Sequence, residues 1–299
     1  MGVMIDIKEN ESLSKHTTFK LGGPARYLVA AKTKEDIIEA VNFAKEKELP
    51  FYILGGGSNI LIRDEGYNGV IIKPQIGGVR IEEDRIIAGA GALLSQAMNM
   101  SIQSGLAGLE WAAGVPGATG GAINGNAGAY GQSMSDLVES VLVLEEDLNG
   151  NWIEKKYKME DCGFLYRKSC FKDKENKKFI IETELKLRKG NKEESMAKIK
   201  DILTQRREKV PPQPSAGCVF KNIKSPDGKE LIRAVGPLIQ ECGLKGVRVG
   251  GAEVSPVHAN YIVNADNATS QDVIDLIKIV QEKVKEKFNM DLETEIVVL

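Results

Sequence analysis

Histidine and cysteine are scarce in this 299-residue chain: two of the first, His16 and His258, and four of the second, Cys162, Cys170, Cys218 and Cys242. Two histidines cannot build a multi-histidine metal centre. No cysteine pair has CxxC spacing, so no structural zinc or other resident metal is expected. The cysteines are also too few and too scattered for a disulfide framework, which points to a reducing compartment. A net charge of −2 lacks the basic excess of a nucleic-acid binder. No apolar run reaches the length of a membrane span. The opening residues, MGVMIDIKENESL, lack a basic stretch followed by an apolar one, so a cytoplasmic protein without membrane attachment is expected. Two phosphate-binding signatures are missing as well. Gly55-Gly56-Gly57 runs into Ser58-Asn59-Ile60, and Gly89-Ala90-Gly91 has no third glycine, so neither is a GxGxxG dinucleotide fingerprint. No GxxxxGK[ST] loop occurs either.

Glycine, by contrast, is concentrated. Nine of the 31 glycines fall in the 27 residues from Gly105 to Gly131, GLAGLEWAAGVPGATGGAINGNAGAYG. A linker would be polar and repetitive. Here Leu109, Trp111, Val115, Ile123 and Tyr130 interrupt the glycines, and Pro116 stiffens the middle. Glycine contributes nothing to packing but lets the backbone approach a ligand closely. The stretch therefore reads as an ordered, ligand-cradling loop. Gly55 to Asn59, at the end of a short apolar strand, reads as a second one, since open sheets bind ligands at strand ends.

Around these loops the pattern alternates between αβ and β. Tyr27 to Ala31 is a strand. Thr33 caps a helix over Lys34 to Lys47, with Ile37, Ile38, Val41 and Ala44 on one face. Phe51 to Leu54, Ile60 to Ile62 and Val70 to Lys73 are strands. From Val79 short alternating runs predict a mostly antiparallel region, with a helix over Leu93 to Ser104 capped by Gly105. A charged helix from Lys192 to Lys209 ends at Pro211-Pro212-Gln213-Pro214, a boundary. Beyond it come a helix over Glu230 to Cys242 preceded by Asp227-Gly228, a strand over Asn260 to Asn264, a helix capped by Ser270 running to Phe288, and a closing strand, Thr294 to Leu299.

Three places hold polar residues that packing does not explain. Arg167, in CGFLYRKSCF with Tyr166, is either an ion-pair partner or an anion clamp. Cys218, in PSAGCVFKN, is a nucleophile, a proton donor or a small buried hydrophobe. Glu293 and Glu295 alternate into an apolar strand and share a face, toward solvent or a cleft. Arg206, Arg207 and Lys209 complement a helix end or meet a phosphate.

The segments HTTFKLGGPA, ILGGGSNIL, GVPGATGGAINGNAGAYG, YRKS, GCVFKN and LETE occur in this order across nearly the whole chain. Together they resemble the UDP-N-acetylenolpyruvoylglucosamine reductase family, in its shorter, type II form. The resemblance implies an α+β protein: an FAD-binding fold of the vanillyl-alcohol-oxidase type in two subdomains, 1–77 and 78–206, and a substrate-binding αβ domain, 207–299, whose last strand is open to return to the first. It implies FAD as cofactor, held by Gly55, Gly56, Gly57, Ser58, Asn59, Gly114, Pro116, Gly117, Thr119, Gly120, Gly121, Asn126, Ala127 and Gly128. NADPH is then the co-substrate, and UDP-N-acetylglucosamine enolpyruvate is reduced to UDP-N-acetylmuramate for peptidoglycan synthesis in the same cleft. By the same resemblance Arg167, Cys218 and Glu295 are catalytic. Tyr166, Lys209, Asn222 and His258 bind the substrate, and a monomer is expected. Two departures stand out. The family's usual proton donor at the Cys218 position is serine, which leaves Ser215 as the nearest alternative hydroxyl, and His258 replaces a glutamine seen in some members. The competing readings are another flavin oxidoreductase of the same fold and a non-catalytic nucleotide-sugar-binding protein.

Overall fold

The computed structural model describes residues 5–172, 178–225 and 230–299. It holds six α-helices among the described residues: α1 (Lys34–Glu46), α2 (Leu94–Gln103), α3 (Thr119–Asn124), α4 (Lys192–Lys209), α5 (Val235–Glu241) and α6 (Ser270–Phe288). The chain divides into two compact units. The first comprises residues 1–7, 29–56 and 72–205; the second comprises 8–28, 57–71 and 206–299.

The first unit is built on a five-stranded antiparallel sheet, in the order Trp152–Lys158, Val138–Glu146, Lys178–Lys186, Arg85–Gly89 and Val79–Glu82. The alternating runs after Val79 are these strands. Their inward side chains, among them Val141, Val143, Ile86 and Leu185, pack with Leu94, Ile102, Trp111 and Ile123 in one apolar core. The region from α1 to the first glycine loop also belongs here. Thr33 caps α1 through a reciprocal box: the Asp36 N–H donates to Thr33 Oγ1 at 3.1 Å, and the Thr33 N–H to Asp36 Oδ2 at 3.0 Å.

The second unit places α5 and α6 with a three-stranded antiparallel sheet, Arg248–Val249, Ala252–Val254 and Ile262–Asn264. Val273, Leu276, Val280 and Val284 of α6 join Phe220, Val235, Leu238 and Ile262 in a second core. Val297–Val298 pairs in parallel with Ile60–Leu61. Strands Pro24–Ala31 and Tyr67–Pro74 are neighbours in a four-stranded sheet.

Two sequence expectations need correcting. The helix expected from Glu230 begins only at Val235, because Leu231–Arg233 is a strand pairing with Ile223–Lys224. Pro237 explains the late start: a proline is tolerated in the first turn but not deep in a helix. Asp227 and Gly228 lie outside the described residues. Secondly, α6 is capped by Thr269, whose Oγ1 accepts from the Asp272 N–H at 3.0 Å. Ser270 is the first helical residue, and its hydroxyl donates to Asp64 Oδ2 at 2.8 Å.

Candidate functional site

In the first unit the two glycine loops meet backbone to backbone. A Cβ on Gly56 would stand 2.7 Å from the Gly117 Cα, which no side chain tolerates. Gly121 is different. It sits inside α3, where glycine costs about 1 kcal/mol relative to alanine. Yet a Cβ there would meet nothing within 4 Å, so packing does not require the glycine. The residue is exposed, and a Cβ at Gly55 would point toward it at 3.8 Å from its Cα. A flat ligand pressed against this backbone accounts for both glycines, and on this test the cradle fits a flavin. The apolar residues that interrupt the stretch anchor it: Leu109, Trp111 and Ile123 are fully buried.

The remaining loop residues divide into lining and scaffold. Gly114 and Pro116 are exposed, and Gly114 and Gly117 adopt positive φ. Thr119 is fully buried and donates its hydroxyl to the Gly89 carbonyl at 2.6 Å, so it ties the loop to the sheet. The Thr119 and Gly120 amides are likewise committed to the Ala92 and Ala90 carbonyls. Gly128 pairs with Ser133 across a short hairpin, and the Ala127 N–H donates to the Ala122 carbonyl. Glu110, which sequence reasoning did not single out, is a further anchor. Its buried carboxylate accepts from the Ser195 hydroxyl at 2.7 Å and the Gly108 N–H at 2.9 Å, which fixes the start of the stretch to α4.

The hairpin bearing Arg167 is held against the same stretch. Leu165 and Lys168 exchange backbone hydrogen bonds of 3.1 Å, so Tyr166 and Arg167 form a two-residue turn. Asn126 donates its amide to the Leu165 carbonyl at 2.9 Å, and the Ser169 hydroxyl donates to the Asn124 carbonyl at 2.7 Å. Arg167 itself takes φ +56°. Glycine usually fills such a position, and a long side chain there carries strain of about 1 kcal/mol or more. Its guanidinium lies 5.4 Å over the Tyr166 ring. Arg167 is thus a half-buried cation on a strained turn beside the glycine cradle.

In the second unit the chain brings Cys218 and Glu295 together. The Glu295 N–H donates to the Val219 carbonyl at 2.7 Å, and Asn59 donates its amide to the Glu295 carbonyl at 3.1 Å. Glu293 goes its own way to an exposed ion pair with Lys221. Gly217, at φ +80° with open space around its Cβ direction, turns the chain into Cys218. Thr18 fastens the segment before it, donating to the Ser215 carbonyl at 2.7 Å. Cys218 bridges to Tyr261 on the neighbouring segment. Tyr261 was not visible from sequence. Its phenol is held far above the ordinary tyrosine range, by burial first, with the charge and the hydrogen bond of Cys218 and the nearness of Glu295 acting the same way.

The expected substrate residues of this unit are spread differently. Asn222 accepts the Val235 N–H at 3.1 Å and so caps α5. His258 Nδ1 accepts the Asn260 N–H at 3.2 Å, and burial lowers its pKa below the usual 6.5, which favours the neutral ring. Lys209 is exposed at the end of α4. Arg206, one turn earlier, is half-buried and within electrostatic range of Tyr261. Gly57 packs against the His16 carbonyl, where no Cβ would fit, and Ser58 is half-buried beside it. Among the described residues no group of histidine, cysteine and carboxylate side chains could hold a metal. No described helix is long and apolar enough to cross a membrane.

Comparison with known proteins adds identity to this geometry. A family model described as the C-terminal domain of UDP-N-acetylenolpyruvoylglucosamine reductase matches residues 208–299, and one described as an FAD binding domain matches residues 25–153. The UDP-N-acetylenolpyruvoylglucosamine reductase of Clostridium botulinum (strain 657) is 40% identical over 296 residues, 98% of this chain and 91% of its own length. That of Caldanaerobacter subterraneus is 40% identical over 289 residues, 96% and 91% of the two chains. The crystal structure of the Thermus caldophilus reductase shares the fold across 99% of both chains, with a TM-score of 0.80 and 34% identity.

Proposed function

The chain belongs to the UDP-N-acetylenolpyruvoylglucosamine reductase family, and from that premise we infer the reaction and the part each residue plays. The protein is a flavoprotein oxidoreductase that reduces UDP-N-acetylglucosamine enolpyruvate to UDP-N-acetylmuramate in peptidoglycan precursor synthesis, with NADPH as reductant. FAD, held by the glycine loops, would supply the two-electron chemistry that links NADPH to the enolpyruvyl group. The observation that carries this reading is the fastening of the Arg167 hairpin to the glycine cradle through Asn126 and Ser169.

The residues then act as follows. Gly55, Gly56, Gly117 and Gly121 let the flavin lie against bare backbone. Arg167 stabilises the negative charge that develops on C2 and its carboxylate, where a fixed cation is worth most. Cys218 protonates C2. A thiol, with a reference pKa of about 8.5, is a stronger acid than a serine hydroxyl. Glu295, fixed by its own backbone to Val219 and Asn59, is the acid–base group beside it. Tyr166, Lys209, Asn222 and His258 hold the nucleotide sugar, Asn222 and His258 in part by shaping the backbone around it. NADPH and the enolpyruvyl substrate use one cleft in turn, which agrees with the missing dinucleotide fingerprint. The three-part division at residues 77 and 206 remains the working domain scheme. The four cysteines are not joined in disulfides, in keeping with a cytoplasmic reaction, and we take the working form to be a monomer.

The test separates the half-reactions. In Cys218→Ala, NADPH should still bleach the flavin at near wild-type rate, while reoxidation by the enolpyruvyl substrate should fall by about a hundredfold or more, the usual size of a general-acid contribution. Equal substrate turnover would remove Cys218 from the mechanism and return Ser215 to consideration.

A further inference from the structure

We propose that Tyr261 is the positioning residue of the proton donor: its phenol donates a hydrogen bond to the Cys218 sulfur and stabilises the thiolate left when the proton moves to C2. The inference rests on the reading of Cys218 as that donor. Three observations carry it. Cys218 and Tyr261 sit opposite each other in an antiparallel bridge, which fixes their separation through backbone rather than through mobile side chains. Hydrogen bonding with the Cys218 side chain is among the causes that raise the Tyr261 pKa. The Tyr261 ring packs against His258, edge-on at 5.0 Å, and the Tyr261 backbone N–H donates to the His258 carbonyl at 2.9 Å.

The phenol suits this task because it keeps its own proton. Burial leads in raising its pKa, and Cys218 and Glu295 reinforce burial while Arg206 opposes it. A phenol that does not ionise can only donate to an anionic sulfur. In the step itself the S–H bond breaks and a C–H bond forms at C2. The electron pair of the S–H bond stays on sulfur, and solvent reprotonates the thiolate before the next turnover. A hydrogen bond to the charged form of an acid favours that form. The charged groups facing the pair are Arg206, from the end of α4, and Glu295, from the C-terminal segment. His258, against the ring, is favoured in its neutral form. Arg206 supports the thiolate and Glu295 opposes it, so the phenol supplies a stabilisation that the two charges together do not.

The test is Tyr261→Phe in the full-length flavoprotein. Phenylalanine keeps the ring against His258, and retained flavin absorbance reports that the variant has folded. The first readout is the pH dependence of iodoacetamide alkylation at Cys218, followed by mass spectrometry of the peptide that carries it. The alkylation midpoint should move up by about one pH unit, a tenfold loss of thiolate at a given pH below it. The second readout is reoxidation of the reduced flavin by the enolpyruvyl substrate, which should slow about tenfold at little change in KM. An unmoved midpoint overturns the proposal. A moved midpoint with unimpaired turnover overturns its catalytic part. Because alkylation needs no turnover, a fault in the Cys218 assignment itself shows separately, in Cys218→Ala.

Discussion

Gly56 sets how closely the two glycine loops approach. With the Gly117 Cα only 2.7 Å from where a Cβ would stand, alanine at Gly56 must push one loop backbone away from the other. Backbone cannot yield as a flexible side chain does. Gly56→Ala should therefore weaken FAD binding by about tenfold or more, an effect of about 1.4 kcal/mol, measured by titrating the apoprotein with FAD and following flavin fluorescence. Unchanged affinity would mean that the contact is not part of the cradle. At this scale the sequence was legible where the chemistry is backbone chemistry. Runs of glycine interrupted by Leu109 and Trp111 announce a loop that is both bare and anchored. Tyr261 was not legible, because its importance comes from pairing with Cys218, a partner far away in sequence. Glu110 was hidden for a related reason: a lone glutamate in an apolar stretch does not reveal that Ser195 and the Gly108 amide will satisfy it.

Among the elements, helices whose start and period agree were readable. α1, α4 and α6 carry an apolar face, a cap or a proline stop in sequence, and each forms near its expected bounds. α5 was overextended because Leu231–Arg233 has enough apolar character to continue a helix. Only its partner strand at Ile223–Lys224 shows otherwise. The cap of α6 gives an element-level prediction. Thr269 and Asp272 exchange hydrogen bonds of 2.9 and 3.0 Å, and the Gly251 N–H also donates to Asp272 at 3.3 Å. Thr269→Ala should cost about 1 kcal/mol of stability in chemical denaturation. The backbone hydrogen bond from Thr269 leads in holding the Asp272 carboxyl below its ordinary pKa. A depressed carboxylate stabilises the fold above its unfolded pKa, about 4, and loses that contribution as pH falls through the folded value. Asp272→Asn should therefore be less stable than wild type at neutral pH and converge on it in acid. A constant difference across that range would assign the effect to packing instead.

For the molecule as a whole, the chain carries the reductase's signatures in order, and all but ILGGGSNIL, whose chain passes from the first unit to the second after Gly56, fall within one unit with its own core. The Arg167 hairpin and the glycine cradle belong to one unit, and Cys218, Tyr261 and Glu295 to the other. The central claim is that the chain binds one flavin that serves two successive substrates. It is tested most directly by the absorbance spectrum of the purified protein under anaerobic conditions, as NADPH and then UDP-N-acetylglucosamine enolpyruvate are added. The account predicts a yellow protein that bleaches with NADPH and recovers its colour with the enolpyruvyl substrate. A protein that FAD cannot colour, or one whose bleached flavin is restored by oxygen but not by that substrate, would contradict it.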